Sequence, residues 1–190
     1  MANAFRILGL PSTLRQKSFN TGLLRAAQEV APDGVMVQIF PIQTLPFYDQ
    51  DLDHSDAEPA AVREFREKIR GADAILIGCA EYNHSITGVL KNALDWASRP
   101  LPNPPIKFKP VALVSASGGA SGGIRSKLAM LPVLESTETH LMMRPELMIP
   151  GAREKFDTDG NLKDEALRAR LGQVVAALVD FSQRMLCIES

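Results

Sequence analysis

The chain has 190 residues, of which 45% are hydrophobic and 23% charged. That is the make-up of one globular domain spanning 1–190, able to bury about 70% of its unfolded surface without staples; it excludes disordered, collagenous and coiled-coil classes. Lys and Arg number 21 against 22 Asp and Glu, a net charge of −1, which argues against nucleic acid or an anionic membrane as partner and against an acidic electron carrier that docks by charge.

Short apolar runs alternate with longer helical stretches. Phe5 to Leu10 reads as a strand and Asn20 to Ala31 as a helix, with Leu23, Leu24, Ala27 and Ala31 on one face. Val35 to Phe40 is a second strand, and Ala60 to Arg70 a helix with Ala61, Phe65 and Ile69 four apart. Ala74 to Cys79 is apolar on both faces, the pattern of a central strand in a parallel sheet covered by helices on each side. Gly88 to Ser98 is a helix stopped by Pro100. Its residues Val89 and Trp96, with Ile86 before them, form a second apolar line that predicts a contact with another copy of the chain. Val111 to Ser115 is a buried strand, Gly123 to Leu134 a helix broken near Pro132, and Leu141 to Ile149 the fifth strand. Asp164 to Leu186 closes the chain as a helix, with Leu167, Leu171, Val174, Leu178, Phe181 and Met185 in one stripe. Alternation of this kind implies a doubly wound five-stranded parallel sheet with helices on both faces. Such sheets bind ligands beyond the carboxyl ends of their strands, where the strand order reverses.

Three loops lie at such ends. The first, Gly9 to Asn20, runs into a helix start, where free backbone N–H groups and the dipole favour phosphate. Thr13, Ser18 and Asn20 are candidate donors and Arg15 the countercharge, although Ser18 also suits a plain helix cap and Arg15 a solvated loop. Neither a P-loop nor a dinucleotide fingerprint is present. The second, Ala80 to Trp96, puts a polar and aromatic segment directly after the central strand, as a ligand rim or as a helix entry capped by Thr87 or Ser85. Its Asn83-His84-Ser85 triplet matches a glycosylation acceptor but lacks a secretory context. The third, Ser115 to Gly123, has four glycines within six residues. They allow close backbone approach to a flat ligand, or simply a flexible connection.

Taken together these loops resemble the NADPH-dependent FMN reductase family of the flavodoxin-like fold. The resemblance rests on Leu14-Arg15, Ser18-Phe19-Asn20, Glu81-Tyr82-Asn83 and the run Gly88-Val89-Leu90-Lys91-Asn92-Ala93-Leu94-Asp95-Trp96. It spans Phe5 to about Leu134, with a weaker echo at Phe156-Asp157-Thr158-Asp159-Gly160. The chain departs from the family pattern at three places. Pro11-Ser12-Thr13 replaces Ser-Gly-Ser, Ala80 replaces a proline before Glu81, and Thr87 replaces a proline before Gly88.

The resemblance implies an FMN-dependent oxidoreductase. Hydride from NADPH or NADH would pass through FMN to small-molecule acceptors such as quinones, azo dyes, chromate, ferric iron or flavins. It places the FMN phosphate at Thr13, Arg15, Ser18 and Asn20, one ring edge at Ala80, Glu81, Tyr82 and Asn83, and the other at Ser117, Gly118 and Gly119. Because the cofactor carries the chemistry, no catalytic side chain is expected. The resemblance also implies a homodimer or homotetramer, bordered by the long segment Pro41 to Pro59. The rival reading is a flavodoxin-type electron carrier.

The remaining residues have plainer readings. His54 falls in a solvated loop, His140 starts a strand, and His84 sits near the substrate rim. The histidines show no metal spacing. Asp157 to Asn161 is a turn rather than a calcium loop, for want of a closing glutamate. Cys79 ends a buried strand as a packing residue. Cys79 and Cys187 show neither a disulfide framework nor zinc spacing, so a reducing cytoplasm is expected. Met1 to Arg6 does not resemble a secretory signal, and no apolar stretch approaches the roughly 20 residues of a membrane span.

Overall fold

The computed structural model describes residues 4–53 and 57–189, with side chains through 185. The expectations for His54 and for the side chain of Cys187 therefore lie outside the described residues. The elements in chain order are β1 (Phe5–Pro11), α1 (Phe19–Glu29), β2 (Val35–Ile39), α2 (Ala60–Arg70), β3 (Ala74–Gly78), α3 (Gly88–Ala97), β4 (Pro110–Ala116), α4 (Ile124–Ser136), β5 (His140–Leu141), β6 (Leu147–Ile149) and α5 (Glu165–Glu189). The sheet is parallel with order β2-β1-β3-β4-β5, and β6 also pairs with β4. The chain steps outward from β1 to β2, then returns to the other side of β1 as β3. The switch point therefore lies between β1 and β3.

The two-residue period of the strands divides the core into two layers. Ile7, Val37, Leu76 and Val114 pack under α1 and α5, against Leu23, Leu24, Leu171, Val174 and Leu178. Leu8, Leu10, Ile75 and Ile77 face the opposite way, toward Phe65 and Ile69 of α2, Leu90 and Leu94 of α3, and Met130 and Leu134 of α4. Every residue of β3 is buried, as its doubly apolar sequence requires. Among the described residues no helix is long and apolar enough to cross a membrane.

Three expectations need correction. The strand expected over Leu141 to Ile149 is two short strands. His140 and Leu141 pair with Pro110 and Val111, and Leu147 to Ile149 pair with Val114 to Ala116. Pro145 lies between them and has no N–H to give to a ladder. Second, α4 runs through Pro132 to Ser136 instead of breaking there. The lost backbone bond costs about 3 kcal/mol, and the buried anchors Met130 and Leu134 hold the helix on either side of it.

Third, Trp96 of the second apolar line of α3 is covered by the chain itself, while Ile86 and Val89 are half-buried. Trp96 is fully buried; its Nε1–H donates to the Pro46 carbonyl at 2.9 Å and its ring meets Tyr48 edge-on at 4.9 Å. Asn92 ties down the same segment, donating to the Pro46 carbonyl at 2.9 Å and accepting from the Tyr48 amide at 2.7 Å. Arg66 stacks over the Trp96 ring at 5.5 Å and pairs with Asp53 and Glu58. Part of the Pro41 to Pro59 segment is thus a strap across α2 and α3, and it covers the Trp96 ring from within the same chain.

Candidate functional site

The loops after β1, β3, β4 and β6 meet at the carboxyl edge of the sheet around a cavity of about 410 Å³. Nine of the residues expected at the site line it: Thr13, Arg15, Ser18, Asn20, Ala80, Glu81, Tyr82, Ser117 and Gly118. Asn83 and Gly119 do not. Phe19, Ala116 and Arg153 complete the lining.

The first loop is stitched to the second. Ser12 is fully buried; its hydroxyl donates to the Gly78 carbonyl and accepts from the Ala80 N–H. Its own carbonyl accepts from the Thr87 hydroxyl. Thr87 also caps α3, accepting from the Leu90 amide at 3.2 Å. Two of the three departures from the family pattern, at 12 and 80, therefore depend on each other, and the third, Thr87, bonds the first loop through a backbone carbonyl. A glycine at 12 has no hydroxyl, a proline at 80 has no N–H, and a proline at 87 has no hydroxyl. Changed together, they exchange stiffness for hydrogen bonds.

Ser18 caps α1, accepting from the Thr21 amide at 3.4 Å. The first helical amides, Phe19 and Asn20, have no intrahelical partner, and both residues line the cavity. The Thr13 hydroxyl shares a hydrogen bond with the Tyr82 hydroxyl at 3.0 Å and accepts from the Arg15 amide at 3.2 Å. The Arg15 guanidinium lies over the Phe19 ring at 5.2 Å and has no carboxylate partner among the described residues. The Asn20 side chain is engaged by the end of β4. It donates to the Ala116 carbonyl and accepts from the Ala116 amide, both at 2.9 Å. It ties α1 to the end of β4 and leaves its backbone N–H for a ligand.

In the second loop, Tyr82 and Ser85 exchange backbone bonds of 3.1 and 3.0 Å around Asn83 and His84, whose φ values are 50° and 63°. Two consecutive positive φ values make a tight hairpin turn, a setting that suits asparagine at the first position and glycine at the second. Asn83 therefore shapes the tip of the turn, and His84 is held at a cost on the exposed rim. Glu81 reaches across to the third loop. Its carboxylate accepts from the Arg125 amide at 3.1 Å, the Ser121 hydroxyl at 3.2 Å and the Arg125 guanidinium at 3.3 Å. Burial alone would raise this carboxyl, but the bonds from Arg125 and Ser121 outweigh it and hold the group below its ordinary value. Glu81 is ionised at neutral pH and serves as a clasp between two loops. Just before it, burial pushes the Cys79 thiol up to about 11, against a bond from Ser126.

The glycines of the third loop divide by role. Gly123 starts α4 at φ 90°, and a Cβ there would lie 1.9 Å from the buried Ser115 hydroxyl. This glycine is needed for packing. Gly118 lies on the cavity beside Arg153, whose Nε would sit 3.3 Å from a Cβ at 118. Gly119 instead accepts from the Gly151 amide at 3.1 Å, outside the cavity. Arg153 was not marked by any sequence pattern. It stands in a single 3-10 turn, Ala152–Glu154, after β6. Its position just past the last strand, on the edge where ligands bind, was the available signal. Like Arg15, it has no carboxylate partner among the described residues.

Comparison with known proteins gives a consistent result. The family profile for NADPH-dependent FMN reductases matches residues 5–154. An NAD(P)H-dependent FMN reductase of Pseudomonas aeruginosa is 38% identical over 185 residues, covering 97% of this chain and 99% of its own length. An NADPH:quinone oxidoreductase of Arabidopsis thaliana is 40% identical, covering 95% of this chain and 93% of its own. Among solved structures, the flavoenzyme NAD(P)H:(acceptor) oxidoreductase FerB of Paracoccus denitrificans superposes with a TM-score of 0.85 at 31% identity. The match covers 95% of this chain and 98% of that one.

Proposed function

The chain belongs to the NADPH-dependent FMN reductase family, and we propose that the cavity at the carboxyl edge of its sheet holds FMN, phosphate on the first loop and ring system between the second and third. The observation that carries this reading is the Arg15 guanidinium, without a carboxylate partner among the described residues and on the same cavity as the α1 start, a cavity that extends to Ala80–Tyr82 and Ser117–Gly118. The donor set fits the group. Cationic and N–H donors crowd one end of the cavity, and the lining carboxylate, Glu81, is engaged by Arg125 and Ser121.

When bound, FMN supplies hydride transfer from NADPH or NADH to a small-molecule acceptor, the two substrates using the site in turn. The chain binds and orients. Thr13, Arg15 and the Phe19 and Asn20 amides hold the phosphate. The stitch at Ser12 and the clasp at Glu81 keep the second loop in register with the first and third. Ionised Glu81 has no proton to give, and buried Cys79 stays protonated, so neither acts as acid or nucleophile. Arg153 adds a second positive charge to the rim, suited to the phosphates of the incoming dinucleotide.

We assign quinones first among acceptors, in keeping with the Arabidopsis relative. A homo-oligomer in the cytoplasm is part of the reading. Phe47, Leu101 and Leu128, 85%, 67% and 57% exposed, supply apolar surface for the contact. An electron carrier without NAD(P)H oxidase activity is disfavoured by the near-neutral charge and the two arginines on the rim, Arg15 and Arg153. The reading is tested by thermal unfolding with added FMN. At about 100 times its dissociation constant, FMN adds about 2.7 kcal/mol, or about 5–11 °C for a domain of this size. No shift at any FMN concentration overturns it.

A further inference from the structure

The cofactor reading leaves unused the segment Phe156 to Leu162, a turn between β6 and α5. We propose that this turn is a brace that positions the phosphate loop, with Arg25 as its positioning residue; the proposal rests on the assignment of the first loop to FMN phosphate.

The turn holds its own shape. Phe156 and Leu162 pair as an antiparallel bridge, the Asp157 amide donates to the Asn161 carbonyl at 2.9 Å, and the Gly160 amide donates to the Asp157 carbonyl at 3.1 Å. The Asp157 carboxylate accepts from the Asp159 amide at 2.9 Å, the Asn161 amide at 2.8 Å and the Asn161 side chain at 3.0 Å. These bonds order the loop before it touches anything else.

The preformed turn then docks on the start of α1. Arg25 grips it, with Nε donating to Asn161 Oδ1 at 3.0 Å and Nη2 to the Gly160 carbonyl at 3.1 Å and the Asp159 carbonyl at 3.3 Å. The backbones approach more closely than side chains allow. A Cβ on Gly22 would fall 1.9 Å from the Gly160 oxygen. A Cβ on Gly160, itself at φ +77°, would fall 2.9 Å from the Lys17 carbonyl carbon. The Phe156 ring packs on Phe19 at 4.8 Å. The exposed Lys17–Asp159 pair at 3.1 Å adds little by itself.

The contacts end at the residues that would meet phosphate. Lys17 precedes the cap Ser18. Phe19 lines the cavity and carries the Arg15 guanidinium on its face. The exposed part of the first loop, Leu14 to Lys17, has few bonds of its own. A site held in its binding geometry by a neighbouring rigid element binds more tightly, because less ordering remains to be done on binding.

The test compares wild type, Arg25→Ala and Arg25→Lys, each freed of flavin and titrated with FMN and with riboflavin, alongside amide hydrogen exchange without flavin at Thr21 and Gly22, whose amides bond the Ser18 hydroxyl and carbonyl. Arg25→Ala should weaken FMN about tenfold, leave riboflavin within about twofold, and speed exchange at 21–22. Arg25→Lys keeps the charge but loses the fork and should fall between. Gly160→Ala, which pushes the turn off Lys17, should reproduce the Arg25→Ala pattern if it folds. Unchanged FMN affinity, an equal loss for both flavins, or unchanged exchange at 21–22 overturns the brace. A wild type that takes up neither flavin overturns the cofactor assignment and the brace with it, whereas a wild type that binds FMN while the variants match it overturns the brace alone.

Discussion

Replacing Ser12 by alanine removes one buried hydroxyl that serves two backbone groups, the Gly78 carbonyl and the Ala80 N–H. Both ends are sealed from water, since Ser12 is fully buried and Ala80 is 5% exposed. A buried group left without its partner costs about 1–3 kcal/mol. The carbonyl retains a second lone pair, so the orphaned N–H dominates and the expected total is about 2–4 kcal/mol. For a domain of this size that lowers the melting temperature by roughly 4–16 °C, at about 2–4 °C per kcal/mol. The assay is thermal unfolding of the flavin-free protein followed by circular dichroism. The pair Ser12→Gly with Ala80→Pro should recover much of the loss, because the proline leaves no N–H to orphan and stiffens the loop. A melting temperature within about 2 °C of wild type for Ser12→Ala, or a double variant worse than the sum of its parts, would refute the claim that these positions are coupled.

Arg15→Ala should weaken FMN by about 10- to 150-fold, from roughly 1.5–3 kcal/mol of charge-assisted bonding, and leave riboflavin nearly untouched; equal losses in a two-flavin titration would remove Arg15 from the phosphate site. Glu81→Gln removes a carboxylate whose pKa folding lowers. Its stabilising contribution is complete above the unfolded value of about 4.3 and disappears as pH falls through the folded value, so urea midpoints of wild type and variant should differ at neutral pH and converge in acid. A gap that persists in acid would show that Glu81 acts through packing alone. Cys79, pushed up to about 11 and fully buried, should resist alkylation in a Cys187→Ser background until the protein unfolds; rapid labelling of the folded protein would contradict its placement.

The parts of this molecule written in local periodicity were readable in advance. Ala74 to Cys79 could only be a strand covered on both faces, and the stripe from Leu167 to Phe181 could only be a helix lying on the sheet. The loops were found because strand ends in this architecture are ligand edges. What escaped depends on partners distant in sequence. Trp96 looked like an interface residue until the Pro46–Tyr48 strap, which has no periodicity of its own, was seen to cover it. Nothing local announces that the Asn20 side chain exchanges hydrogen bonds with the backbone of Ala116, 96 positions away. Asn83 sits at the tip of a turn whose positive φ no periodicity announces. Pro132 and Pro145 look alike in sequence. One is carried through a helix by buried neighbours, while the other interrupts a ladder that needed its missing N–H.

The central claim is that this cavity holds an FMN that cycles between a reduced nucleotide and a small acceptor. The visible spectrum of the FMN-loaded protein, followed anaerobically, tests it most directly. NADPH or NADH should bleach the oxidised flavin bands stoichiometrically, and a simple quinone should restore them with no further nucleotide present. A protein that stays colourless after incubation with FMN, or whose bound flavin neither nucleotide reduces, would contradict the account.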